Sequence, residues 1–208
     1  MKIAKKFMTL ALVAALSVGC TTVGVSAAGS RTNEITVSVE QSQIYEIIKT
    51  IEETEGFEAL KEEVPAVAEA FKEVNEGKMD MDGFVDTLKT LAEEAAEDED
   101  LKAAIEEVIE KLEEKDFVTG FTQFKVLDFD KAEKNEDGKY EVEISVPSLT
   151  DDMENIQIVV YNKDEEKVWE IVEPISVDKE NKTLKVALTD LCYFTIVADA
   201  LETTEEAE

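Results

Sequence analysis

Histidine is absent from this 208-residue chain, and Arg31 is its only arginine. Without imidazole there is no Ser-His or Cys-His dyad, no histidine metal ligand and no ordinary general base near neutrality. Cysteine is nearly as scarce, with Cys20 and Cys192 alone. If Cys20 leaves with an export segment, Cys192 has neither a disulfide partner nor a second zinc thiolate. Its setting, Leu191-Cys192-Tyr193-Phe194, reads as a strand-like apolar run that buries a small hydrophobe rather than presenting a nucleophile. No glycine-flanked serine is placed to form a nucleophile elbow. Positive charge is also short: 21 lysines and arginines stand against 50 acids, for a formal net charge of −29. Such a surface repels nucleic acid and anionic head groups, and attracts cations and basic polypeptides weakly, under strong salt screening. Solubility is the simplest use of that excess.

What the chain does have begins at its N-terminus. Lys2, Lys5 and Lys6 precede an apolar run to Val18, and small residues follow to Val25-Ser26-Ala27-Ala28. That is the pattern of a secretory signal peptide over residues 1–27, with cleavage after Ala27 or Ala28. A rival reading makes Ser17-Val18-Gly19-Cys20 a lipobox with Cys20 as the acylated residue, although Ser17 stands where leucine is usual. The run is too short, and too broken by Gly19, Thr21 and Thr22, for a permanent span of a core about 30 Å thick. No later stretch is apolar for long enough to span a membrane, and no LPxTG-like sorting motif precedes the Glu-rich tail. Removing residues 1–27 takes away three lysines and no acid, which moves the net charge to about −32. The protein is therefore expected outside the cell or at its envelope, free or lipid-anchored through Cys20.

Two periodicities follow. Ile35-Thr36-Val37-Ser38-Val39 alternates as a short strand. Helical spacing then runs from Ser42 to about Glu114. Ile44, Ile47, Ile48 and Ile51 predict a first helix ending near Gly56. Leu60, Val64, Val67, Ala68, Phe71 and Val74 predict a second, with Pro65 as a kink or restart and Gly77 as its stop. Met81 to Ala95 predicts a third, capped by Asp80, and Leu101 to Leu112 a fourth, opened by Asp98-Glu99-Asp100. After Lys115 the period becomes two. Phe117–Asp130 reads as one strand region and Asn135–Gly138 as a turn. Strands follow at 140–146, 156–161, 168–172, near Val177, at 184–188 and at 193–198. The fold class expected is α+β: a short acidic helical bundle followed by an antiparallel immunoglobulin-like β-sandwich. Its parts are a short strand plus four-helix segment (28–115), the β-sandwich (116–201) and an acidic, disordered tail (202–208).

Val146-Pro147-Ser148-Leu149-Thr150, Ile156–Tyr161, Val168-Trp169-Glu170-Ile171-Val172, Val177-Asp178, Asn181-Lys182-Thr183-Leu184 and Tyr193–Val197 together resemble small sandwich modules of exported and cell-surface proteins of Gram-positive bacteria. In those modules a Trp-bearing strand precedes a "V-D…N-x-T" hairpin. The resemblance covers about residues 139–199 and implies a structural or adhesive part with no catalytic residues. This chain departs from it in showing no wall anchor.

Few constellations carry chemistry. Asp80-Met81-Asp82-Gly83 invites an EF-hand reading, but that register puts Lys78 and Lys89 where carboxylates are required, so the acids serve a helix start. Six carboxylates at Glu93, Glu94, Glu97, Asp98, Glu99 and Asp100 could gather a weakly bound divalent cation, against a solvated loop as the simpler reading. Glycosidase-type acid pairs and a Ser–Lys dyad carry no information in so acidic a chain, because their signature is spatial. Trp169 and Tyr161 face each other across a hairpin and are the candidate sugar or peptide platform, with burial in the core as the alternative. Asn181-Lys182-Thr183 matches a glycosylation sequon but reads more simply as a turn. No catalytic, cofactor-binding or metal-binding set is assigned. The expectation is a non-enzymatic interaction or structural protein with an unknown protein or glycan partner at the envelope. A carboxylate-dependent glycan hydrolase and a solute-binding lipoprotein are the alternatives.

Overall fold

A computed structural model describes residues 34–162 and 168–200. Ala27, Ala28, Cys20 and the tail 202–208 lie outside the described residues. The protein is mixed α+β. In chain order come β1 (Thr36–Val37), β2 (Tyr45–Ile48), a 3-10 turn (Ile51–Glu53), α1 (Glu55–Glu63), α2 (Pro65–Asn75), α3 (Met81–Glu94) and α4 (Glu99–Leu112). Then follow β3 (Lys115–Phe117), β4 (Thr122–Val126), β5 (Tyr140–Ser145), β6 (Gln157–Tyr161), β7 (Trp169–Val172), β8 (Ser176–Asp178), β9 (Thr183–Leu188) and β10 (Tyr193–Asp199).

All strand pairs are antiparallel. One sheet runs β1-β5-β9-β8, the other β2-β4-β10-β6-β7, with β3 also on β10. Period-two patterning sets which side chains meet between them. Tyr140, Val142 and Ile144 of β5 and Leu184, Val186 and Leu188 of β9 point inward, while Glu141, Glu143 and Lys185 point out. They pack on Ile158 and Val160 of β6 and Phe194 and Ile196 of β10. The second sheet is buried on its other face too. Val159, Tyr161, Trp169, Tyr193 and Val197 join a second cluster with Phe71, Phe84, Leu88, Ile105 and Leu112 from the helices. Near-continuous apolar runs in β6 and β10 follow from that double burial.

The helices form where the caps say. Asp80 accepts from Gly83 N at 2.9 Å and Asp98 from Leu101 N at 3.2 Å, opening α3 and α4 as expected. Pro65 restarts the chain as the first residue of α2. The helix expected over Ile44–Ile51 is instead β2, whose Tyr45 and Ile47 are buried and Glu46 exposed. Isoleucines at 44, 47, 48 and 51 keep helical spacing, but Tyr45 and Ile47 alternate with Glu46, and pairing with β4 (Tyr45↔Val126, Ile47↔Phe124) makes this β-branched stretch a strand. Gly56 does not end a helix. It lies in the first turn of α1, where an added Cβ would stand 3.0 Å from Tyr193 Oη and 3.2 Å from Gln123 Nε2.

The 117–130 strand region is divided. β3 and β4 lie on the same side of β10, and residues 118–121 bulge between them. Thr119 bridges the gap: its Oγ1 accepts from Ile196 N at 3.0 Å, and its carbonyl accepts from Thr195 Oγ1 at 2.8 Å. Asn75, the last residue of α2, pairs with Phe121 in both directions. Its Oδ1 accepts from Phe121 N at 2.6 Å and its Nδ2 donates to Phe121 O at 3.0 Å. The expected domain boundary at residue 115 thus falls inside a continuous core, with β1 and β2 as members of the two sheets.

Candidate interaction surface

The strand pairings bring three connections, 38–44, 127–139 and 189–192, to one end of the sheets, beside Asn162 at the end of β6. Hydrogen bonds tie them together. Val126 N donates to Asp190 Oδ1 at 2.8 Å, Phe124 N to Cys192 O at 2.9 Å, Leu127 N to Ile44 O at 2.7 Å and Asn162 Nδ2 to Thr189 Oγ1 at 3.0 Å. Large apolar side chains nonetheless stand in solvent here. Val39, Leu127, Phe129 and Leu191 are four of the six exposed large hydrophobics among the described residues, the others being Ile175 and Val177 at β8.

Leu191 is the unusual member. Its φ of 56° lies in the left-handed region, a bulky residue's outlier, and its side chain is 52 % exposed. The other non-glycine residues with positive φ among those described, Glu114, Asn155 and Lys182, are polar. Backbone strain at Leu191 costs about 1–3 kcal/mol, yet half of the residue is left in solvent. The bond from Val126 N to Asp190 Oδ1 ties the chain just before Leu127 to the chain just before Leu191, and Phe129 follows Leu127 two residues on. Sequence reasoning placed all three residues inside strand runs. The available signal was Thr189-Asp190 before Leu191, and Asp128 and Asp130 around Phe129, both turn-forming contexts.

The surroundings are acidic. Hydrogen bonding from Lys131 holds the Asp128 carboxyl below its usual range. Lys134 sits 4.9 Å over the Tyr140 ring, and Lys139 grips Glu170 with two 2.8 Å contacts. Asp130, Glu133, Glu136 and Asp137 have no lysine within ion-pair distance among the described residues.

Other candidates fare differently. Trp169 and Tyr161 do pair across the β6–β7 hairpin, with ring centroids 4.7 Å apart, but both are core residues, 3 % and 1 % exposed. Phe71 and Phe84 cover them edge-on, so they offer no surface platform. Cys192 is fully buried, and desolvation pushes its thiol up to about 12. Among the described residues no three carboxylates or cysteines are gathered to hold a metal ion, the 93–100 acids included. A groove of about 490 Å³ lies between α3 and α4, lined by Lys89, Glu93, Lys102, Glu106, Ile109 and Glu110. It belongs to the helical layer and does not run between helices and sheets. No helix among the described residues is long and apolar enough to cross a membrane. Comparison with known protein families, curated proteins and solved structures finds no match to this chain.

Proposed function

We propose that this protein is an exported, non-enzymatic interaction module of the cell envelope, which recognises its partner through Leu127, Phe129 and Leu191. The observation that carries the reading is Leu191, an aliphatic side chain held in solvent by a strained backbone. Loops set on a rigid scaffold are where recognition residues concentrate. The export part rests on the lysine-led apolar start and small residues at 25–28, with Ala27 and Ala28 as cleavage positions and Cys20 as the alternative anchor.

An immunoglobulin-like sandwich is part of the proposal, with the four helices as a bundle laid on one of its sheets. In such domains strands A-B-E-D face strands G-F-C-C′. Reading β1-β5-β9-β8 as the first set and β4-β10-β6-β7 as the second supports it, with a departure at the last strand, whose place is filled by β3 and β4, which precede the second strand in the chain. The buried tryptophan also departs, since Trp169 sits on β7 rather than on β6.

Two measurements test this. Mass spectrometry of protein recovered from its own cells should find an N-terminus at Ala28 or Gly29, or an acylated Cys20. An intact Met1 on cytosolic protein contradicts export. Capture of envelope components should be strong for the wild type and weak for Leu191→Asn. Equal capture by both removes this surface from the proposal.

A further inference from the structure

We infer that the occupant of this surface is a basic, amphipathic polypeptide segment, an inference that rests on the binding-module reading above. The first argument is the chemistry of the surface. Sugar recognition favours an exposed indole or phenol, whose face stacks on a sugar ring while neighbouring polar side chains hydrogen-bond its hydroxyls. Here the single tryptophan and all four tyrosines are buried, between 1 % and 4 % exposed. Phe129, 62 % exposed, is the one large aromatic in solvent among the described residues. The side chains of Leu127, Leu191 and Val39 offer no hydrogen bond. The patch suits aliphatic and aromatic side chains, which a folded or folding polypeptide supplies.

Charge selects among polypeptides. The chain carries −29, and the 127–139 connection holds five acids against Lys131, Lys134 and Lys139, with Asp130, Glu133, Glu136 and Asp137 outside ion-pair range of any lysine among the described residues. A partner segment bearing lysine or arginine beside its apolar residues would place them against Asp130 and its neighbours. An acidic segment would meet repulsion there, and so would an anionic membrane. Electrostatic steering speeds such an encounter, and salt weakens it. Geometry adds the last element. The bonds from Val126 to Asp190 and Phe124 to Cys192 fix the backbone around Leu127 and Leu191, so the surface is formed before the partner arrives.

Fluorescence anisotropy on the exported protein would use a labelled leucine–lysine helical peptide of about five turns. Its controls are the same peptide with glutamate for lysine, a soluble envelope oligosaccharide and anionic vesicles. The leucine–lysine peptide should bind. The double change Leu127→Asn with Phe129→Ala leaves net charge untouched and should weaken binding at least about tenfold. Ile175→Asn with Val177→Asn, at the other apolar pair, should leave it within about twofold. Circular dichroism confirms folding, and Leu191→Asn serves as a second variant should the double change disturb the loop. The inference is overturned if the acidic peptide binds as well, if the double variant binds the basic peptide unchanged, or if no peptide binds. Oligosaccharide or vesicle binding that the double variant abolishes also overturns it. Should peptides fail while Leu191→Asn still loses envelope capture, the binding-module reading stands and only the partner class falls.

Discussion

At the scale of single residues, burial dictates two measurable behaviours. Cys192 is enclosed between the sheets, and with its thiol near 12 almost no thiolate exists at neutral pH. A thiol reagent should therefore label the native protein only as fast as it unfolds, and at once in denaturant. Rapid native labelling contradicts the packing described. Asp199 provides the pH-dependent case. Hydrogen bonds from Lys115 at 2.5 Å and Asn155 at 2.5 Å hold its carboxyl below the usual range. The folded pKa lies below the unfolded one, so its stabilising contribution is full above about pH 4–5 and fades as pH falls through the folded value. The carboxylate is about a third exposed, which limits the effect to less than about 1 kcal/mol. Asp199→Asn should lower the melting temperature slightly at pH 7, and the gap should close in acid, as pH falls through the folded value. A gap that widens in acid would reverse the assignment.

At the scale of elements, the junction of α2 with the bulge between β3 and β4 concentrates most dependence on one side chain. Asn75→Ala leaves the buried Phe121 N–H and C=O without their partner and should cost about 2 kcal/mol by denaturant titration. A change under about 0.5 kcal/mol would mean the bulge holds itself.

Elements are also where sequence and structure can be compared. Caps at Asp80 and Asp98 and the restart at Pro65 were legible, because each acts through groups a few residues away. The β6–β7 and β8–β9 hairpins were legible for the same reason. The stretch Ile44–Ile51 was not, since its isoleucines keep helical spacing and a partner strand about 80 residues away overrides it. Gly56 reads as a stop until Tyr193 is seen beside it. The surface residues were the least legible: Leu127, Phe129 and Leu191 have core composition, and only the turn geometry around Asp128 and Asp190 turns them outward.

At the scale of the whole molecule, one sheet serves two cores and the acid excess surrounds both. β6 and β10 send alternate side chains to the facing sheet and to the helices, so the helices are not a detachable neighbour. Self-repulsion of a chain carrying −29 opposes that compact state. Raising NaCl from about 20 mM to about 0.5 M should lift the melting temperature by several degrees, through screening alone. The same salt should weaken partner capture. A melting temperature indifferent to salt would mean the charges are locally balanced.

The proposed role of Leu191 sets stability against recognition, and one paired measurement decides the matter. Unfolding midpoint and envelope capture should be recorded on the same preparations of wild type and Leu191→Asn. Asparagine accepts the left-handed backbone more readily than leucine, so stability should rise by about 0.5–1 kcal/mol while capture falls. A variant that loses stability, or one that captures its partner undiminished, contradicts the assignment of Leu191 to recognition.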